Sequence, residues 1–254
     1  VTPSSPGDRR AFSITELLTS IAIIAVLLSI LLPLLSHARE LGYRTVCSGN
    51  LRQLGAAFTA YLHDHRHFPR AANTPEWRYG GVAFVGPART AVVEEGRPLN
   101  TYLSDRLPSR SSEVAAIFRC PGDRGVFVAG SAPNRPGASV LNDERCFDRY
   151  GTSYRANGNV VAPLRLEHDA EPRPLADHEV LVEPSRLLVL GDSEWYYATR
   201  PSTDAESALD ASWHREGHAG NFLAMDGSVR FVRFSTSPSF EYTLSPMPLV
   251  PPAQ

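Results

Sequence analysis

The chain has 254 residues and a mass of 27.8 kDa, enough for a membrane segment plus one globular domain of ordinary size. Its 25 basic and 27 acidic side chains nearly cancel, which removes any bulk electrostatic case for a nucleic-acid partner, and every basic residue is Arg. Apolar character is segregated, with an almost wholly apolar run from Ile21 to Leu35 and most of the 21 prolines and 18 glycines after residue 68.

Residues 1–11 are short and polar and carry the basic pair Arg9-Arg10. Phe12-Ser-Ile-Thr-Glu16 follows, and from Leu17 to Leu35 there are 19 residues without a charge. That is close to the ~20 residues a helix needs to cross a ~30 Å hydrocarbon layer. The arginines on its N-terminal flank predict a cytoplasmic N-terminus and an exported C-terminal domain. His37, Arg39 and Glu40 mark the far edge of the membrane. A secretory signal peptide would present a small-residue cleavage site after the apolar run. Here the helical pattern continues instead. Cys47, Leu51, Leu54, Phe58 and Tyr61 recur at steps of four, three, four and three, one face of an amphipathic helix expected to end near His63–Asp64. Counted from Phe12 to Asp64, that helix is roughly 80 Å long. Glu16 is out of place beside the span, because a carboxylate costs up to ~3 kcal/mol at mid-bilayer and less near the edge.

Beyond the helix, Gly- and Pro-rich loops are expected over much of residues 69–180. Ser185–Leu190 reads as a buried strand ending at Gly191-Asp192, and Asn221–Met225 and Ser228–Phe234 read as strands joined by Asp226-Gly227. Asp-Gly between β-rich runs predicts a hairpin whose two central positions both have positive φ. The segment from Thr236, with Pro246, Pro248, Pro251 and Pro252, is expected to be extended or frayed. The predicted fold is α+β, a long N-terminal helix on a small, mainly antiparallel sheet with long loops. Its expected divisions are residues 1–11, 12–35, 36–68, 69–235 and 236–254. The three cysteines, Cys47, Cys120 and Cys146, form no C-x-x-C pair, so zinc-ribbon and thioredoxin-like readings have no support. An exported domain implies one disulfide and one cysteine left over. Cys47 with Cys120 is the first pairing to consider, although spacing does not fix connectivity.

Three constellations invite chemistry. His63, His65 and His67 surround Asp64, but alternate positions suit a strand better than a helix end, so solvated histidines are the expectation. Asp192, Glu194, His214, His218 and Asp226 combine carboxylates suited to calcium with histidines suited to zinc. The favoured reading gives Asp226 to the turn and the histidines to backbone hydrogen bonds, with no metal. Ser193 lies in Gly191-Asp-Ser-Glu-Trp195, which lacks the G-x-S-x-G elbow of a nucleophile. Catalysis is not expected. Trp195, Tyr196 and Tyr197 read as packing aromatics.

Arg10-Ala11-Phe12-Ser13-Ile14-Thr15-Glu16-Leu17-Leu18 resembles the cleavage and methylation motif of type IV prepilins, with Ala11 standing where Gly is usual. The resemblance implies that prepilin peptidase cuts between Ala11 and Phe12 and methylates the new amine of Phe12. It implies that Glu16 pairs with the Phe12 amine of a neighbouring subunit, and that Pro33 is the helix-kinking proline of many pilins. Further blocks are similar to a subgroup with a C-terminal motif of His, nine residues, then Asp-Gly. They are Ala38-Arg39-Glu40 through Cys47-Ser-Gly-Asn50-Leu51-Arg52-Gln53-Leu54-Gly55, Phe118-Arg119-Cys120-Pro121-Gly122-Asp123, Thr152-Ser153-Tyr154-Arg155-Ala156-Asn157-Gly158 and Asn221 through Phe231. In this chain eleven residues separate His214 from Asp226, and seven separate His218 from it. The implied function is a structural subunit of a type IV pilus-like fibre or a type II secretion pseudopilus, not an enzyme. Its implied partners are prepilin peptidase, other subunits, an inner-membrane assembly platform and the bilayer. Calcium is the ion that some pseudopilins hold in C-terminal loops. Two other classes fit the same residues: a minor tip pilin or adhesin binding through residues 69–180, and a membrane-anchored enzyme with a metal at His214, His218 and Asp226.

Overall fold

The computed structural model describes residues 14–70, 75–85, 90–92, 97–104, 113–128, 140–141, 145–162, 173–200, 209–210, 213–214 and 216–248. Helix α1 is Ile14–His65, followed by α2 (Pro75–Arg78), β1 (Ala83–Val85), β2 (Thr90–Val92) and a 3-10 turn at Pro98–Tyr102. Next come α3 (Glu113–Ile117), β3 (Val126–Val128), β4 (Val140–Leu141), α4 (Cys146–Tyr150), β5 (Tyr154–Ala156) and α5 (Gly158–Val161). A 3-10 turn at Asp177–Glu179 leads to β6 (Leu188–Asp192), α6 (Glu194–Ala198), β7 (Leu209–Asp210), β8 (Ala219–Ala224) and β9 (Val229–Arg233). Within 69–180 the described elements are short, two to five residues each, with turns and loops between them, and Phe118, Phe147 and Tyr154 there are fully buried.

The chain divides into two compact units, Val1–Gly42 and Tyr43–Gln254. In the first, α1 is apolar and long enough to cross a membrane, a property that membrane spans and signal sequences share. Glu16 lies in its first turn and Pro33 lies inside it. Having no N–H, Pro33 donates no helical hydrogen bond, and its own carbonyl accepts from Ser36 Oγ (2.8 Å).

In the second unit the four-three spacing becomes the core face of α1. Cys47, Leu51 and Leu54 are wholly buried, and Phe58 and Tyr61 nearly so. Arg66, at φ 60°, ends the helix by donating its N–H to Leu62 O (2.8 Å). The main sheet has strand order β5-β6-β8-β9, all antiparallel, and smaller sheets have orders β4-β3-β7 and β1-β2. Both faces of the main sheet are covered. Leu223 and Leu190 join the cluster that includes the α1 face, while Leu188, Phe222 and Ala224 join Trp195, Phe234 and Tyr242. Double coverage explains why β6 reads as a continuous apolar run. Helix and sheet approach closely at Gly55, where a Cβ would stand 2.8 Å from Leu223 Cδ1.

Two details differ from expectation. The β8–β9 hairpin has a three-residue loop in which Gly227 N donates to Ala224 O (3.0 Å) and Gly227 has φ 84°. Asp226 is not at positive φ. Its Oδ1 accepts from Ser228 N and Oγ instead, fixing a turn that leaves the left-handed position to glycine. The C-terminal segment is extended but docked through residue 248. Thr243 bridges Leu187, and Leu181 N donates to Pro246 O (2.9 Å).

Candidate functional site

Three sequence blocks that lie far apart in the chain meet beside α1. From the helix, Asn50 Nδ2 donates to Arg119 O (2.9 Å) and reaches Tyr154 Oη (3.1 Å). Cys47 is joined to Cys120 by a disulfide that spans 73 positions. Cys120 N donates to Ser153 Oγ (3.1 Å), and Ser153 Oγ donates to Asp123 Oδ2 (2.6 Å). Asp123 also accepts from Gly125 N, Cys146 N and Phe147 N, so one buried carboxylate caps the first turn of α4. Burial pushes its carboxyl pKa up, and the donated hydrogen bonds oppose that shift. Gly151 closes α4 at φ 79°, donating its N–H to Phe147 O (2.8 Å). Asn157 caps α5, and its Nδ2 donates to Leu188 O and Leu244 O (2.8 Å each). This network holds loops in place by satisfying buried polar groups.

At the edge of the network lies a cluster of donor atoms. His214 Nε2 is 3.2 Å from Asp192 Oδ2 and 3.7 Å from Cys120 Sγ, and all of these side chains are buried. Asp192, at the end of β6, accepts from Asn221 N (2.7 Å) and Nδ2 (3.0 Å) through Oδ2. His214 is held from three sides. Arg44 of α1 donates to its carbonyl (2.6 Å) while ion-pairing with Glu216 and stacking on Phe231. Phe231 meets the imidazole edge-on, and a Cβ at Gly122 would stand 3.0 Å from His214 Cε1.

The other candidates separate. His218 lies at φ 58° and pairs through Nδ1 with Glu194 Oε1 (2.8 Å), where Glu194 is wholly buried. Asp226 serves its turn. Asp192, His214, His218 and Asp226 therefore do not form one site, because His218 and Asp226 flank opposite ends of β8, roughly 20 Å of strand. At the end of α1, His65 stacks on Tyr61 (4.1 Å between centroids), His67 Nδ1 lies 3.0 Å from Phe68 O, and His63 is exposed beside Asp64 Oδ1 (3.2 Å), so the three do not converge on one point. Ser193 is buried, with Oγ donating to Ser153 O (3.1 Å). Cys146 is buried as a free thiol whose pKa burial pushes well up, which makes it unreactive. Trp195 Nε1 donates to Arg155 O (3.1 Å), and Arg155 stacks on Tyr196. Glu16 is exposed in the first turn of α1. Ala11 and Phe12 lie outside the described residues.

Sequence reading missed Asn50 and Asp123 as network centres and missed the pairing of Glu194 with His218. The polar residues inside otherwise apolar or Pro-Gly blocks, Asn50 one turn from Cys47 and Asp123 after Cys-Pro-Gly, were the available signal.

A family model with the description "Protein of unknown function (DUF1559)" matches residues 36–163, which include three of the four blocks. No curated protein matches the chain, and no solved structure does.

Proposed function

Because the chain belongs to the DUF1559 family, a family of pilin-like proteins, we propose that it is a structural subunit of a pilus-like or pseudopilus fibre. One observation carries this reading. The apolar half of α1 leaves its large side chains exposed, among them Leu17 (55%), Leu28 (47%) and Ile30 (67%). Exposed apolar surface on that scale requires lipid or other helices around it. In this proposal lipid covers the helix before assembly, and neighbouring subunits cover it afterwards.

Prepilin peptidase would cut between Ala11 and Phe12 and methylate the Phe12 amine. Glu16 would then pair with the Phe12 amine of the next subunit, a charge pair whose value rises as the fibre core excludes water. The same proposal puts the N-terminus in the cytoplasm and the second unit outside the inner membrane. A disulfide inside that unit supports an oxidising compartment. The role is structural rather than enzymatic.

Coexpression with a prepilin peptidase, followed by mass determination of the N-terminal peptide, tests the processing step. The expected product begins at Phe12 with one added methyl group, and a product beginning elsewhere rejects that step. Glu16→Ala is expected to leave membrane insertion unchanged and to abolish fibre incorporation. Normal incorporation of the variant rejects the pairing role.

A further inference from the structure

We propose that Cys47, Cys120, Asp192 and His214 form a zinc site when the two cysteines are reduced, so that the domain carries two alternative staples at one place. One donor atom from each of the four residues lies within 4.8 Å of the others, and all four residues are buried. Two thiolates, an imidazole and a carboxylate are a zinc donor set. Zinc bonds of about 2.0–2.3 Å put adjacent ligand atoms of a tetrahedron roughly 3.3–3.8 Å apart. His214 Nε2 already stands 3.7 Å from Cys120 Sγ and 3.2 Å from Asp192 Oδ2. A single imidazole nitrogen cannot direct one hydrogen bond at both atoms, whereas one cation among the three engages each.

A second observation concerns the same carboxylate. Among the described residues nothing donates a hydrogen bond to Asp192 Oδ1, which is excluded from solvent, although Oδ2 holds Asn221. A buried carboxylate oxygen in that condition is costly unless something positive reaches it. Gly122 leaves room for the imidazole, because a side chain there would press on Cε1.

The chemistry balances with a dithiol as reductant. Two electrons and two protons turn the Cys47–Cys120 disulfide into two thiols while the reductant becomes a disulfide. Zinc then displaces both thiol protons to solvent, and the sulfurs part from bonding distance to about 3.7 Å. The oxidised domain is held by the covalent bond, and the reduced domain by the ion. Nothing in this scheme depends on cleavage at Phe12 or on fibre assembly.

The test uses the full chain in detergent micelles, reduced and refolded without oxygen in the presence of Co²⁺ as a coloured stand-in for zinc. The expected result is thiolate-to-cobalt absorption with the visible bands of tetrahedral Co²⁺, saturating at one ion per chain and displaced by Zn²⁺. The oxidised chain is expected to show neither. His214→Ala and Asp192→Asn should each weaken binding at least about tenfold, and Cys146→Ala should change nothing. Should reduction unfold the domain, recovery of buried-tryptophan fluorescence with Zn²⁺ alone supports the site. A reduced chain without thiolate-to-cobalt absorption overturns it, whether folded or unfolded. Equal binding by the oxidised chain, or undiminished binding by His214→Ala, does so as well.

Discussion

Removing the disulfide with the double substitution Cys47→Ala/Cys120→Ala should destabilise the second unit by an amount that follows from chain length. The bond closes a loop with a sequence separation of 73. The chain-entropy relation for a loop of that size gives about 4 kcal/mol at 25 °C, roughly a thousandfold in the folding equilibrium. The assay is guanidinium unfolding of the oxidised full chain in detergent with a chelator present. Trp77, Trp195 and Trp213 are all buried in this unit and report its unfolding by fluorescence. The denaturant slope should also rise, because an unfolded chain without the cross-link exposes more surface. Cys146→Ala is the control. It removes a buried sulfur that closes no loop, and should cost about 1 kcal/mol. A double variant within about 1 kcal/mol of the parent would refute the loop-closure reasoning, and so would a Cys146→Ala loss of the same size as that of the double variant.

Two glycines at positive φ should respond to alanine to very different degrees. At Gly151 (φ 79°) a Cβ would lie 1.5 Å from Val82 O, so Gly151→Ala should yield no protease-resistant domain. At Gly227 (φ 84°) nothing lies within 4 Å, and Gly227→Ala should fold at a cost of about 1–2 kcal/mol from backbone strain alone. Similar behaviour of the two variants in limited proteolysis would contradict the steric account. Glu179 is held at a pKa of about 2, first by its hydrogen bonds with Arg173 and then by Ala176 N. Because the folded value is depressed, the contribution of this pair should be complete above the ordinary Glu pKa of about 4.3. It should fade as pH falls toward about 2. Arg173→Ala should return the Glu179 titration, followed by NMR, toward the ordinary range. An unchanged titration midpoint in that variant would show that Arg173 is not the cause.

The long helix was legible because its signals are local. A run of uncharged residues and a four-three spacing each need only a window of the chain, and Cys47, Leu51, Leu54, Phe58 and Tyr61 are all buried as that spacing requires. The Asp226-Gly227 hairpin was legible for the same reason. Its turn type was not, because Ser228 binding Asp226 favours a three-residue loop with one left-handed glycine. The short elements between residues 75 and 162 escaped the sequence because pieces of three to five residues carry too little periodicity to register.

Residue types alone nominated Asp192 and His214, yet they equally nominated His218 and Asp226. Pairing of β6 with β8 brings Asp192 to Asn221, and Arg44 on α1 draws the His214 segment toward the Cys120 loop, 94 positions away in sequence. By itself the sequence determined which surfaces must leave water, since hydrophobic spacing belongs to each segment alone. Only the tertiary structure decided which buried polar groups meet. A hydrogen bond or a metal ligand set is chosen by distances of a few ångströms between segments, and no single segment encodes that distance.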